Sequence, residues 1–285
     1  MSRKVAVVTG ATSGIGRAVA LGLVEQGYEL VAIARNESKV DALRRDARAR
    51  RQGAIIEYHY ADLSLVSSTQ TALAAIVEQH ERIDLLLFSA ALVPSQRVVT
   101  DERIEKCFAI SYLSRVVVTE ALLPALMRSD DKLLIDIASP GMKAKVDFED
   151  VNFERRTYGT MAVLGQFQHA NDVYFTDLHE THKAAGLRAY VYHPGVVDTP
   201  IHDNWPTMIG FFMRYLMWPM KITPERSAKF PLELASGTFG CTTHMFNHKG
   251  QSLTTPEEAR DGEYRRRVVA LSREMIASAT RARAA

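Results

Sequence analysis

The sequence has little cysteine, little tryptophan and almost no net charge. Its two cysteines, Cys107 and Cys241, have no spacing typical of a metal or redox motif. This favours a reducing, cytoplasmic location, and no metal site is expected. The 35 basic and 33 acidic residues give a formal net charge of +2, so there is no electrostatic argument for binding nucleic acid.

Long apolar runs, repeats and linkers are also missing. No apolar run is expected to approach the roughly 18 residues of a membrane span. The first expected strand begins near Lys4, which leaves no room for a signal peptide. We therefore expect no membrane span and a single globular domain over residues 1–285, for which 47% hydrophobic residues provide a sizeable core.

Short apolar segments alternate with longer amphipathic ones along the whole chain. This alternation is typical of βαβ units, and strands without polar alternation indicate a parallel sheet covered on both faces. Strands are expected at Val5–Thr9, Glu29–Ala34, Ala54–Tyr60, Leu85–Ser89, Leu133–Ala138 and Ala189–Tyr192, and helices at about 14–27, 37–51, 67–80, 101–128 and 160–184. The sequence predicts an α/β fold with a doubly wound parallel sheet of the Rossmann type, flanked by helices.

A glycine-rich loop, Thr9-Gly10-Ala11-Thr12-Ser13-Gly14-Ile15-Gly16, connects the first expected strand to the first helix. Glycine lets backbone N–H groups approach a pyrophosphate, and the helix N-terminus adds a positive partial charge. Glycine also serves ordinary turns, but the strand before this loop and the helix after it favour nucleotide binding. The candidate contacts here are Gly10, Thr12, Ser13, Ile15 and Gly16.

The spacing T-G-x-x-x-G-I-G resembles that of the classical short-chain dehydrogenases/reductases, in particular their retinol-dehydrogenase-like branch. The resemblance extends over nearly the whole chain. It implies that Asp62 and Leu63 lie at the adenine of a nicotinamide cofactor. Arg35 ends the second strand where a carboxylate would favour NAD, and arginine suits the 2′-phosphate of NADP. The expected cofactor is NADP(H), although Arg35 as one more surface arginine remains the alternative.

The resemblance also assigns the nicotinamide end of the site. The segment His193-Pro194-Gly195-Val196-Val197-Asp198-Thr199 corresponds to the family's nicotinamide-flanking loop, with contacts expected from Pro194, Gly195, Val197 and Thr199. The family's N-N-A-G stretch reads Phe88-Ser89-Ala90-Ala91 here, which makes Ser89, Ala90 and Ala91 further cofactor candidates.

The family's catalytic groups are mostly replaced in this alignment. Ser139 occupies the serine position, but Leu164 stands where the family has its proton-donating tyrosine. Gln168 stands in the place of the lysine that lowers the pKa of that tyrosine, and Ser111 replaces the helix asparagine. Leucine transfers no proton and glutamine carries no charge, so Ser139 and Ser111 are the remaining catalytic candidates, and Gln168 is expected to hydrogen-bond the ribose.

No single stand-in for the proton donor emerges from the sequence. Tyr158 precedes Leu164 by six residues, but family members often carry a tyrosine there as well. Asp172 returns to the face of Leu164 after two turns, yet a helix-surface charge is the favoured interpretation, as it is for His169. Two further candidates, Tyr112 and Asp136, lack support from position.

The segment from about 199 to 223 breaks the βαβ rhythm and corresponds to the family's substrate lid. It carries both tryptophans of the chain, and the candidate substrate contacts are Trp205, Phe211, Phe212 and Tyr215. An apolar lid favours a bulky apolar small-molecule substrate, while core packing, an oligomer contact or a membrane-surface contact stay open. The fold commonly forms dimers through its fourth and fifth crossover helices, so a homo-oligomer is expected.

Three functions are compatible with these residues. The first is an atypical NADPH-dependent reductase whose substrate is already activated, such as a polarised carbonyl, an iminium or a quinone-like compound. The second is a non-redox cyclase, isomerase or dehydratase on the same scaffold. The third is a catalytically silent protein that binds NADP(H), because fold alone does not decide function.

Overall fold

A seven-stranded parallel sheet organises the chain, in the order β3-β2-β1-β4-β5-β6-β7, within the described residues 3–93, 95–198, 221–240 and 243–284 of this computed structural model. The strands are β1 (Val5–Thr9), β2 (Glu29–Ala34), β3 (Ile56–Tyr60), β4 (Leu85–Phe88), β5 (Leu133–Ile137), β6 (Arg188–His193) and β7 (Met245–Asn247). The chain order reverses between β1 and β4. At such a reversal, an open α/β sheet leaves a crevice at the carboxyl ends of its strands.

Helices cover both faces of the sheet. They are α1 (Gly14–Glu25), α2 (Glu37–Arg50), α3 (Val66–Gln79), α4 (Lys106–Phe108), α5 (Ser114–Met127), α6 (Thr160–His182), α7 (Pro224–Ser227), α8 (Lys229–Ser236), α9 (Glu257–Arg260) and α10 (Gly262–Ala284). Apolar strand residues point into two cores, one on each face of the sheet. The doubly wound fold is thereby confirmed, as is its single domain.

The expected strands agree with the observed ones to within two residues at each end, and β1 and β2 match at both ends. The seventh strand, Met245–Asn247, was missed. Three residues are too few to show a strand pattern in a sequence, and this strand exists because Met245 and Phe246 pair with Val191 and Tyr192 of β6.

A π-helical turn, Ala109–Leu113, joins α4 to α5. The Asn171 side-chain amide, on α6, donates a hydrogen bond of 2.9 Å to the carbonyl of Ser111 within this turn. Irregular turns of this kind are frequently found at functional sites. Here the turn places Ser111 behind the segment that follows β4.

The stretch Lys106–Met127 is long and apolar enough to cross a membrane, with a mean hydropathy of 1.4 over its best 18-residue window. The expectation that no such run exists was therefore wrong. Within the protein, 72% of that window is buried, and α5 packs against α3 and the sheet. A helix enclosed by a core needs this composition without any membrane.

The C-terminal helix α10 packs against α6 and α3, and two polar contacts connect it to α5 and to the π-helical turn before α5. The Tyr112 and Ser272 hydroxyls lie 2.6 Å apart, and Arg273 Nε donates a 2.8 Å hydrogen bond to Glu120. The expected homo-oligomer stays a prediction.

Candidate functional site

A cleft of about 710 Å³ lies at the carboxyl ends of the strands, where the sheet order reverses. Most of the residues expected from the sequence line it: Gly10, Thr12, Ser13, Ile15, Arg35, Asp62, Leu63, Ser89, Ala90, Ala91, Ser139, Leu164, Gln168, Pro194, Gly195 and Val197. Gly16 and Ser111 lie outside the lining. Thr199, Trp205, Phe211, Phe212 and Tyr215 fall outside the described residues.

The glycine loop is held tightly against the end of β4. Gly10 has a φ of +74°, and a Cβ on it would lie 2.7 Å from the backbone nitrogen of Ala90. A Cβ on Gly16 would lie 2.3 Å from the Gly10 carbonyl oxygen and 2.9 Å from Ser89 Cβ. These positions therefore require glycine, for a left-handed turn at Gly10 and for close packing at Gly16.

The first turn of α1 opens into the cleft. Its N-cap, Ser13, is exposed and has an extended backbone (φ −153°), and its side chain makes no capping hydrogen bond. Helix N-termini leave N–H groups without intrahelical partners and carry positive partial charge. Together with the Ser13 hydroxyl, this end of α1 suits a phosphate.

Two cationic side chains stand at one end of the cleft. The Arg35 side chain is 59% exposed, with Nη1 4.0 Å from Asp62 Oδ1, so it is only loosely paired. Lys39 also lines the cleft. It lies in the first turn of α2, where its N–H donates a 3.0 Å hydrogen bond to the side chain of the N-cap residue Asn36. The sequence interpretation missed Lys39, although its spacing of four residues from Arg35 was a usable signal.

Asp62 shapes the neighbouring rim through an Asx turn. Its Oδ1 accepts hydrogen bonds from the Ser64 N–H (3.0 Å) and the Ser64 hydroxyl (2.8 Å). Burial alone would raise the pKa of Asp62, but these bonds, helped by Arg35, hold it below its usual value. Asp62 is therefore an ionised acceptor beside Leu63 at the rim of the cleft.

The segment after β4 is supported from behind. The Ser111 hydroxyl accepts a 3.0 Å hydrogen bond from the Leu92 N–H, and Ser111 is fully buried. The guanidinium of Arg115 donates to the Ala90 carbonyl at 3.3 Å and lies 2.9 Å from the Asp136 carboxylate. This geometry makes Ser111 a support for the cleft wall and does not favour its direct contact with a substrate.

The nicotinamide-flanking loop turns sharply at Gly195, which has a φ of +79°. Its N–H donates a 3.0 Å hydrogen bond to Nδ1 of His193, which itself lines the cleft. A Cβ on Gly195 would lie 2.9 Å from His248. Beyond it, the Ile222 N–H donates to the Val196 carbonyl at 2.9 Å. The two borders of the expected lid, near 198 and 222, therefore meet beside the cleft.

The opposite wall of the cleft carries Ser139, Leu164 and Gln168. The Ser139 hydroxyl has no hydrogen-bond partner within the described chain. The surrounding lining is apolar, with Leu164 accompanied by Met142 and Met161. Gln168 is buried, and its Oε1 accepts a 3.0 Å hydrogen bond from the Ser139 N–H. The arrangement can bind and orient an oxygen, but Leu164 and Gln168 supply no acid.

The proposed stand-in acids do not line the cleft. The Tyr158 hydroxyl donates a 2.9 Å hydrogen bond to Glu105, and burial beside that carboxylate raises its pKa. Tyr112 is buried against Ser272, and burial raises its pKa as well. Asp136 forms a buried salt bridge with Arg115. The described part of the cleft therefore lacks a phenol or carboxyl near Leu164.

Two interpretations of α6 were wrong. His169 is 1% exposed and Asp172 is 0% exposed, whereas surface positions were expected for both. The reason is tertiary, because α6 is enclosed by the sheet on one side and by α9 and α10 on the other. Asp172 Oδ2 accepts a 2.8 Å hydrogen bond from the Gly141 N–H, and burial raises the pKa of this carboxyl to about 8.

Fold and cleft together define a nucleotide-binding α/β protein of the doubly wound class. The short chain dehydrogenase family model matches residues 4–151, and the chain belongs to that family of oxidoreductases. It is 27% identical over 282 residues to "Retinol dehydrogenase 13" of Homo sapiens, covering 96% of this chain and 84% of that protein. Over 253 residues it is 24% identical to "Retinol dehydrogenase 14" of the same species, covering 83% and 75%.

Solved structures show the same fold. An alcohol dehydrogenase from Thermococcus sibiricus complexed with 5-hydroxy-NADP matches with a TM-score of 0.65 and 20% identity, covering 89% of this chain and 97% of that one. A variant of the actinorhodin polyketide ketoreductase with NADPH matches with a TM-score of 0.64 and 22% identity, covering 86% of this chain and 95% of that one.

Proposed function

We propose that the protein is an atypical NADP(H)-dependent reductase of a bulky, apolar, already activated substrate. One observation carries the proposal. A single cleft connects a phosphate-binding glycine loop, flanked by Arg35 and Lys39, to an apolar wall where Ser139 offers a hydroxyl. The NADP(H) complexes of structural relatives support the choice of cofactor, and the retinol dehydrogenases among the sequence relatives support an apolar substrate.

Different residues of the cleft bind the cofactor and the substrate. The glycine loop and the N-terminus of α1 bind the pyrophosphate, and Arg35 with Lys39 binds a 2′-phosphate. The bound cofactor supplies a hydride. Ser139 donates a hydrogen bond to the substrate oxygen, and Leu164 and Met142 exclude water from the apolar part of the substrate.

The missing acid restricts the substrates that this site can reduce. General acid catalysis contributes about 10²–10⁴-fold, so an ordinary ketone would react slowly beside Leu164. An iminium ion needs no proton when it accepts hydride and becomes an amine. A quinone or polarised enone becomes a stabilised anion, which takes its proton from water. These classes suit the cleft.

Cofactor selectivity provides the first test. We expect NADPH to bind at micromolar concentration and NADH much more weakly, measured by nicotinamide fluorescence. Arg35→Ala and Lys39→Ala should each weaken NADPH binding about 10–100-fold, because each removes a charge-assisted contact, and should leave NADH binding unchanged. Arg45→Ala, an exposed position on α2 outside the cleft lining, is the matched control. An equal loss of affinity for NADPH and for NADH would refute a 2′-phosphate site.

Turnover provides the second test. With activated carbonyl, iminium and quinone compounds, NADPH consumption should fall at least about tenfold in Ser139→Ala for oxygen-bearing substrates, while NADPH affinity is retained. Iminium reduction should be far less affected, because it presents no oxygen to Ser139. Unchanged rates with every oxygen substrate would remove Ser139 from the mechanism.

The absence of a phenol or carboxyl near Leu164 among the described cleft residues also favours a second candidate, a catalytically silent NADP(H)-binding protein. Tight NADPH binding without consumption by any substrate class would identify it. A product formed without net NADPH oxidation would instead identify a non-redox enzyme.

A further inference from the structure

Helix α6 presents two hydrogen-bond acceptors, one turn apart, to the turn that follows β5. Gln168 Oε1 accepts from the Ser139 N–H at 3.0 Å, and Asp172 Oδ2 accepts from the Gly141 N–H at 2.8 Å. The residue between them, Pro140, has no N–H group. Every backbone donor of the segment 139–141 is therefore bound by a side chain of α6.

Gly141 itself adds little to the shape of this turn. Gly141 is exposed and has a φ of +85°, and a Cβ placed on it would have no atom within 4 Å. Glycine in such a position is conformationally free. The acceptors, in contrast, are 7% exposed in Gln168 and 0% exposed in Asp172. The two acceptors therefore belong to an enclosed helix, whereas Gly141 of the turn is exposed.

We propose that Gln168 and Asp172 are positioning residues that fix the turn Ser139–Gly141 and thereby hold the Ser139 hydroxyl and Met142 in the cleft. The contact of the Ser139 hydroxyl with a substrate rests on the proposed function. The fixing of the turn by Gln168 and Asp172 does not. The proposal also explains the residue types. Glutamine accepts a hydrogen bond from a backbone N–H, which the lysine expected at position 168 does not, because an ammonium group is only a donor.

Variants can separate the acceptor from the bulk of each side chain. Gln168→Glu and Asp172→Asn keep an acceptor oxygen at the same distance from the backbone. Gln168→Met and Asp172→Leu fill a similar volume without one. A matched control is Gln166→Met on the same buried helix, because Gln166 accepts from the Asp147 N–H and donates to the Val151 carbonyl instead.

The measurement is hydrogen exchange of individual backbone amides in the intact protein. We expect Gln168→Met to accelerate exchange at Ser139, and Asp172→Leu at Gly141, each by roughly tenfold or more, which is the loss of about one buried hydrogen bond. Gln168→Glu and Asp172→Asn should stay within about threefold of wild type. Gln166→Met should accelerate Asp147 and leave Ser139 and Gly141 unchanged.

Unchanged exchange at Ser139 and Gly141 in the apolar variants would overturn the proposal, as would equal acceleration in the acceptor-keeping variants. If an apolar variant does not fold, Gln168→Lys against Gln168→Glu makes the same comparison at position 168. Faster exchange at Ser139 and Gly141 with unaltered NADPH consumption would confirm that α6 fixes the turn, but would show that the Ser139 hydroxyl has no role in the reaction. Slower consumption with unaltered exchange would reject positioning and leave the reductase function standing.

Discussion

Gly16→Ala is expected to abolish NADPH binding and to lower the free energy of unfolding markedly. The added Cβ would meet the Gly10 carbonyl oxygen at 2.3 Å and Ser89 Cβ at 2.9 Å. The first contact is with backbone, so it cannot be relieved by a side-chain rotation. Overpacking of a well-packed site costs about 1–3 kcal/mol. Relief requires the loop to move away from β4, which displaces the N–H groups that we propose bind the phosphates.

Nucleotide titration and denaturant unfolding of the same preparations measure the two effects. Gly159→Ala is the control, because a Cβ on Gly159 would have no atom within 4 Å and its backbone is extended (φ −144°). That variant should bind NADPH like the wild type. Normal NADPH affinity in Gly16→Ala would mean that the loop does not bind the pyrophosphate in the way the cleft indicates.

Asp172→Asn is expected to remove a pH dependence of stability. Burial raises the pKa of Asp172 in the folded protein from 3.8 to about 8, and nearby Asp136 acts in the same direction. The folded state therefore retains a proton that the unfolded chain has already lost. The stability contribution of this group is complete below about pH 4 and is lost as the pH rises through about 8. Asparagine resembles the protonated acid at every pH.

The free energy of unfolding, measured by urea denaturation from pH 5 to 9, should therefore fall more steeply for wild type than for Asp172→Asn. Since one pKa unit corresponds to about 1.4 kcal/mol, the variant should be more stable by about 1 kcal/mol or more at pH 8. The pKa of Asp136 is also raised, to about 6, by burial against the opposing effect of Arg115, and Asp136 raises the pKa of Asp172, so the difference between the two curves reports the coupled pair. Asp177→Asn, on the same helix and partly exposed, is the control. Parallel curves for wild type and Asp172→Asn would contradict the prediction.

The comparison of α6 shows where sequence patterns stop being informative. Asp172 and His169 are polar residues on a helix, which in a sequence indicates an exposed face. In the fold, α6 lies between the sheet and the helices α9 and α10, so both residues are buried. Enclosure on two sides depends on α9 and α10 packing against α6, and no local pattern in α6 encodes that.

Cleft residues could be predicted from the sequence where a short motif or a strand end identifies them. The contacts at Gly10, Ser13 and Arg35 follow from a loop and a strand end, and they line one cleft. Lys39 lies in the first turn of α2, directly after the strand end at Arg35, and was overlooked. Ser111 was placed correctly on its helix but assigned a direct role, whereas its hydroxyl binds the Leu92 N–H behind the cleft wall.

By itself, the sequence determined the positions of the first six strands along the chain, the glycine loop and the residue types Leu and Gln at positions 164 and 168. These depend on local periodicity, on the backbone freedom of glycine and on residue chemistry, which are properties of short segments. Only the tertiary structure decided the seventh strand, the burial of Asp172 and the use of Gln168 as an acceptor for Ser139. Each of these depends on contacts between segments far apart in the chain, because burial and hydrogen-bond partners are created when the elements pack together.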